Sequence, residues 1–171
     1  MTFGVLSMQS IKLYQIIMEF FNHIRMGNLE KLKLMVEANP SVLANPDARG
    51  FTPLVMATYS DQVAVTKYFL EQGAPVNYQD PMIGNTALMG VCFKGNIEMI
   101  QLLLEHGADV NLKNKKGSTA LIFATQYGQA AAAKLLINAG AATDVVDVDG
   151  NSALICAKQK GMTDLVALLE H

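Results

Sequence analysis

Three histidines, two cysteines and a scatter of acids are the side chains through which this sequence could do chemistry. Nucleophilic catalysis needs a hydroxyl or thiol beside a base, and a metal site needs clustered His, Cys or carboxylate ligands. His23, His106 and His171 stand far apart, and no His or Cys pair has the spacing of a zinc site. The chain contains neither a phosphate-cradling glycine loop nor a Gly-x-Ser-x-Gly elbow. His106 sits near a predicted helix C-terminus, where imidazole serves structure by facing the last carbonyls. Cys92 and Cys156 lie in apolar segments more than sixty residues apart and read as buried free thiols rather than a disulfide, which fits a reducing compartment. Glu30, Glu98 and Asp164 fall at predicted helix starts, where a carboxylate suits the helix dipole. The expectation is a chain with no catalytic site, no cofactor and no metal.

The composition points the same way. Half of the 171 residues are apolar and 16% are charged, enough for one domain with a real core and too apolar for a disordered tail. A net charge of −2 supplies no drive toward nucleic acid or anionic lipid, and the basic run Lys113-Asn114-Lys115-Lys116 is too short to change that. The first 26 residues are apolar, but no basic stretch leads them, Lys12 and Glu19 interrupt them, and no small-residue cleavage site follows. Lys12, Gln15, Glu19 and Asn22 recur at helical spacing, with Ile11, Ile17, Phe21 and Ile24 elsewhere around the helix. This pattern predicts an amphipathic helix, not a membrane span. A cytoplasmic protein is expected.

Self-comparison exposes the elements that position everything else. GFTPL at Gly50, GNTAL at Gly84, GSTAL at Gly117 and GNSAL at Gly150 are spaced by 34, 33 and 33 residues. GAPVN at Gly73, GADVN at Gly107 and GAATD at Gly140 share that period, as do Asp61, Gly95, Gly128 and Gly161. Thr52, Thr86, Thr119 and Ser152 are placed to cap a first helix, with Pro53 at a position that tolerates a missing N–H. A turn then feeds a second helix, which Gly73, Gly107 or Gly140 ends in left-handed conformation. Two columns should fill the core: Leu54, Leu88, Leu121 and Leu154 in the first helices, and Phe69, Leu103, Leu136 and Leu169 in the second.

GFTPL and LLLEHGADVN, with this period and helix–turn–helix–loop order, resemble the ankyrin repeat over about residues 18 to 171. The resemblance implies an all-α solenoid of stacked helix–turn–helix units with β-turn hairpin loops. It is read here as a single domain at 1–171: an N-terminal helix and cap over 1–46, then repeats at 47–79, 80–113, 114–146 and 147–171. The cap is recognised by Gly27-Asn28-Leu29-Glu30, 68 residues ahead of Gly95-Asn96-Ile97-Glu98. Where the family places a histidine after its Thr-Pro-Leu, this chain has Val55, Met89, Ile122 and Ile155. The hydrogen bonds of that histidine should therefore be absent and apolar packing should replace them. One extra residue around Asp80-Pro81-Met82-Ile83 should make that loop protrude. Ala130-Ala131-Ala132-Ala133 removes bulk from one second helix, leaving either a closer approach or looser packing. The closing Leu-Leu-Glu-His fits both the family pattern and the start of a purification tag.

The resemblance also implies a function. Family members usually hold a protein partner on the concave face, formed by loop tips and the exposed ends of first helices. Carried over by alignment, that face holds Arg49, Phe51 and Tyr59 in the first repeat. It holds Met82, Ile83, Phe93 and Lys94 in the second, and Lys116, Gln126 and Tyr127 in the third. Aromatic and large aliphatic residues stand where an idle surface would favour polar ones, which suits an interface. The alternative is that some of them turn inward as padding. The expected protein is a scaffold, adaptor or regulator that binds another protein, with no nucleic-acid or membrane partner, as a monomer or weak homo-oligomer. The alternative reading is a structural subunit that self-associates through its apolar C-terminal face.

Overall fold

In the computed structural model, which describes residues 8–170, each sequence repeat becomes a pair of short helices joined by a tight turn. Residues 1–7 and His171 lie outside the described residues. The chain divides into two compact units between Ala74 and Pro75.

The first unit carries α1 (Met8–Met26), α2 (Leu29–Ala38), a 3-10 turn at Pro40–Ala44, α3 (Pro53–Tyr59) and α4 (Val63–Glu71). Its core joins Phe20, Phe21 and Ile24 of α1 to Leu32 and Val36 of α2, Leu54 of α3 and Phe69 of α4. The Phe20 ring stacks on Phe69 at 5.9 Å and meets Phe21 edge-on at 6.2 Å. The turn between α1 and α2 uses Gly27 at φ 66°, and the Asn28 side chain accepts the Lys31 N–H. Gln62 donates its amide to the Arg25 carbonyl at 3.1 Å, and any side chain at position 27 would overlap that amide.

The predicted amphipathic character of α1 holds only for its C-terminal part. Ile11, Leu13, Tyr14, Ile16 and Met18 are all exposed, and burial begins in earnest at Phe20. Length explains this. A 19-residue helix runs about 28 Å, whereas the 10-residue α2 beside it runs about 15 Å. The hydrophobic pattern continues past the end of the surface that could cover it.

The second unit carries α5 (Ala87–Lys94), α6 (Ile97–Glu105), α7 (Ala120–Gln126), α8 (Ala130–Asn138), α9 (Ala153–Gln159) and α10 (Thr163–Leu169). Thr86, Thr119 and Ser152 cap the first helix of each pair by accepting the N–H of Met89, Ile122 and Ile155, as Thr52 does for Val55 in the first unit. Leu88, Leu103, Leu121 and Leu136 are buried as the columns require. Ala132 and Ala133 of α8 are wholly buried at the positions where α6 has Met99 and Ile100.

Met89 and Ile122, in the slot of the family's histidine, are likewise buried. Polar links between successive pairs come from loop amides. Asn77 donates to the Gly107 carbonyl at 3.1 Å and accepts the Asp109 N–H at 2.8 Å; Asn111 does the same with Gly140 and Ala142 at 3.2 and 2.8 Å. Gln129 reaches the Phe93 carbonyl beside Gly95, repeating the Gln62 device. Because Asn77 and Gln79 bond forward into later loops, the residues from Pro75 onward belong to the second unit. Among the described residues there is no strand; the hairpins hold one isolated antiparallel bridge, Val146–Ser152.

Candidate binding face

Each hairpin is built around one side chain that accepts its own backbone. Asp47 Oδ1 accepts the N–H groups of Arg49 and Phe51 at 2.9 and 3.0 Å. Asn114 Oδ1 takes those of Lys116 and Ser118, and Asp147 Oδ1 those of Asp149 and Asn151. The second hairpin contains the extra residue. Asp80 N–H therefore closes on the Asn85 carbonyl, five residues on, where Asn114 and Asp147 close on the fourth residue. Asp80 still collects three backbone donors, from Met82, Ile83 and Asn85. The enlarged turn pushes Met82 and Ile83 outward, and both are exposed. In this unit the tips are tied in series: Lys115 N–H donates to the Ile83 carbonyl at 3.0 Å and Val148 N–H to the Lys116 carbonyl at 2.9 Å.

Two of the capping carboxylates, Asp47 and Asp147, are shifted toward the ionised form. Burial pushes Asp47 up, but the N–H groups of Phe51 and Arg49 and the Arg49 guanidinium outweigh it, and the group titrates below the usual carboxylate value. For Asp147 burial is again opposed, by the Asn151 N–H, the Ser118 hydroxyl at 2.8 Å and further donors, with the same net direction.

In the first unit, Tyr59 ends α3 with 73% of its surface exposed. Phe51 is half-buried with the Arg49 guanidinium 5.1 Å from its ring centre, and Arg49 is bound to Asp47 through Nε and Nη2 at 3.1 and 2.9 Å. Those two residues are engaged within their own hairpin.

In the second unit, Phe93 and Tyr127 are 45% and 47% exposed and meet edge to face at 4.4 Å. Gln126 is exposed beside them, Lys94 is half-buried, and Lys116 pairs with Asp149 at 3.0 Å. Two residues of this surface escaped the sequence reading. Phe123 stacks on Tyr127 at 6.3 Å, one turn back along α7, so the i, i+4 spacing of two aromatics was the available signal. Gly90 occupies the position in α5 that Phe123 has in α7; it is exposed, and a Cβ there would meet nothing within 4 Å. Its signal was a glycine inside a helix, which needs a reason.

The groups with chemistry are otherwise occupied. His106 Nδ1 lies 2.9 Å from the Leu102 carbonyl, four residues back, at the end of α6. Burial pushes the Cys92 thiol up to about 12, and it raises Cys156 as well, so neither supplies a thiolate near neutrality. Both are buried free thiols. Glu30, Glu98 and Asp164 lie in the first turns of α2, α6 and α10, exposed. No group of three His, Cys, Asp or Glu among the described residues could hold a metal ion. No helix among them is long and apolar enough to cross a membrane.

Paired short helices with hydroxyl caps, left-handed turns and hairpins bonded tip to tip define an all-α repeat protein. The chain belongs to the ankyrin repeat family: the family model for ankyrin repeats (3 copies) matches residues 20–114, 72–147 and 88–171. Among curated proteins it is similar to ankyrin repeat and SAM domain-containing protein 6 of Rattus norvegicus, 35% identical over 101 residues, which is 59% of this chain and 11% of that protein. It is also similar to human ankyrin repeat and KH domain-containing protein 1, 32% identical over 94 residues, 54% of this chain and 4% of that protein. A third relative is human palmitoyltransferase ZDHHC13, 31% identical over 91 residues, 53% of this chain and 14% of that enzyme. The chain thus matches a seventh or less of the length of these relatives. Ankyrin repeats generally mediate protein–protein interaction and are generally non-catalytic.

Proposed function

We propose that this chain is a scaffold, adaptor or regulator that holds another protein on its first-helix ends and hairpin tips and performs no catalysis. The observation that supports this reading is the exposure of Tyr59, Phe93 and Tyr127 at first-helix ends. Aromatics are among the side chains that dominate interface energies. Met82 and Ile83 extend the apolar character onto the enlarged hairpin. Arg49, Phe51, Lys94, Lys116 and Gln126 complete the proposed set, with four repeats behind an N-terminal cap as the framework. Two buried free thiols suit a reducing compartment, and we place the protein in the cytoplasm.

Alanine at Tyr59 or Phe93 tests the reading. The melting temperature should stay nearly unchanged, and partner capture should weaken by more than about 1 kcal/mol. Stability lost together with binding would make these rings structural padding and end the proposal.

A second reading has its own observation. Ile155 and Leu168 are exposed, and Leu154, Val166 and Leu169 only half-buried, on the last helix pair described. A second copy seated there would make the protein a self-associating structural subunit. Light scattering across a concentration series separates the two readings by mass.

A further inference from the structure

The overall charge of −2 conceals a segregation within the second unit. Lys94 and Lys160 sit at the ends of first helices, and Lys113, Lys115 and Lys116 in one hairpin. The acids on these elements are largely engaged, and so are two of the hairpin lysines: Lys115 Nζ donates to the Pro81 carbonyl and Lys116 pairs with Asp149, while Lys113 is exposed. Asp80 and Asp147 are buried under backbone N–H groups, and Asp149 is paired with Lys116. The exposed carboxylates lie elsewhere: Glu98, Glu105, Asp164 and Glu170 on second helices or their ends, and Asp109 and Asp144 in the loops that follow them. The sole lysine among the second helices of this unit, Lys134, faces Asp164 at 3.9 Å. Taken over the unit, first-helix ends and hairpin tips carry most of the lysines, and second helices with the loops after them carry most of the exposed acids, with Lys158 of α9 bridging to Glu170 at 2.7 Å.

The basic side also has a gap in its row of side chains, an exposed glycine where the next repeat carries a ring. The position that Phe123 fills in α7 is Gly90 in α5, one turn or about 5.4 Å beyond the Thr86 cap. Phe93 lies three residues further along the same helix face. Asn85, just before the cap, accepts the Asn114 amide at 2.8 Å, and Asn114 is flanked by Lys113 and Lys115. Lysines and gap therefore lie within a few residues' reach of one another.

We propose that this face of the second unit binds an acidic peptide segment of a partner protein that carries one large apolar side chain. The apolar group occupies the gap at Gly90 against the neighbouring aromatic rings, and the carboxylates face the lysines of the 113–116 hairpin. The inference rests on the protein-binding reading above and names the partner's chemistry. Three lysines in one hairpin, interrupted by an acid on the next, form too short a basic track for a continuous phosphate backbone and suit a short run of carboxylates.

Selection from a random peptide library on the immobilised full chain tests it, followed by titration of an enriched peptide. Enriched sequences should hold several Asp or Glu around one Leu, Ile, Phe or Trp. Their affinity should fall about fivefold or more between about 50 and about 500 mM salt. Gly90→Met should keep or raise the melting temperature, because a mid-helix glycine is a poor helix former, and should weaken the peptide about tenfold or more. Lys115→Glu should also weaken it, whereas Lys134→Glu, the same charge change on the acidic side, should not. Neutral or basic peptides that Gly90→Met still blocks would overturn the acidic partner and leave the binding face standing. Peptides insensitive to both Gly90→Met and Phe93→Ala would sink both. An empty selection, or a random-sequence RNA that binds more tightly than any peptide, would also overturn the inference.

Discussion

The helix pairs α7/α8 and α9/α10 carry nearly the same pattern and live in different surroundings. Leu121 and Leu136 are wholly buried, whereas their counterparts Leu154 and Leu169 are half-buried. Ile122 is 1% exposed and Ile155 is 42%. The caps are alike, with Thr119 accepting the Ile122 N–H and Ser152 the Ile155 N–H. The turns are alike as well, with Gly128 and Gly161 both at positive φ. Local structure is therefore complete in both pairs, and what differs is the packing a neighbour supplies. In a repeat fold each pair forms its own turns and caps, but half of its core comes from the next pair.

Paired substitutions turn this contrast into numbers. The largest difference should come from the leucine column. Leu121→Ala should cost roughly 2–5 kcal/mol in urea unfolding, and Leu154→Ala about half as much, because less area is lost and the site is open to water. Equal costs would mean that α9 is covered as fully as α7.

The turn glycines come next. Asp61 is the one non-glycine at positive φ among the described residues, at 55°, in the register of Gly95, Gly128 and Gly161. Left-handed backbone costs an L-residue about 1–2 kcal/mol, and Asp tolerates it better than most. Gly128→Asp should therefore destabilise by about 1 kcal/mol. Asp61→Gly should gain a few tenths, part of the relief being offset by glycine's greater freedom when unfolded. A clear loss at Asp61→Gly would show that its side chain contributes more than its backbone strain removes.

Smaller still is the effect at the hairpin caps, where Asn114 and Asp147 do the same work with an amide and a carboxylate. The folded Asp147 carboxyl titrates below its ordinary 3.8, so its contribution is complete above that value and disappears as pH falls through the lower folded one. Asp147→Asn should cost under about 1 kcal/mol at neutral pH, from the lost charge-assisted bond to Ser118, and should flatten the acid limb of the stability curve. An unchanged acid limb would assign acid unfolding to other carboxylates.

The smallest effect is expected at Ile155→Lys, within about 0.5 kcal/mol by thermal melting, whereas a lysine at Ile122 would bury a charge. If a second copy seats on this helix pair, Ile155→Lys should also abolish the larger species in light scattering.

Much of the framework was legible in the chain because it is local and repeated. Thr52, Thr86, Thr119 and Ser152 cap helices wherever they occur, since the geometry involves only the next three residues. The insertion near Asp80 was visible as a broken period, and an enlarged turn followed from counting, whereas the exposure of Met82 and Ile83 on it did not. The exposed first part of α1 was not legible. Ile11, Leu13 and Ile16 have the composition of a core face, and only the length of the neighbouring helix decides that nothing covers them. Phe123 and Gly90 were passed over for a similar reason. Each is unremarkable in its own helix and gains meaning from what stands at the equivalent position one helix pair away.

The sequence by itself determined the period, the helix starts and stops, the left-handed turns and the residue types on each face, because these depend on contacts within a few residues and on a pattern seen four times. Tertiary structure alone decided which copies of that pattern are buried, which loop amides link successive pairs, and how most lysines and exposed carboxylates group in the second unit. Burial and charge grouping depend on neighbours about 30 residues away along the chain, and a repeat motif specifies the same side chain whether or not such a neighbour is there.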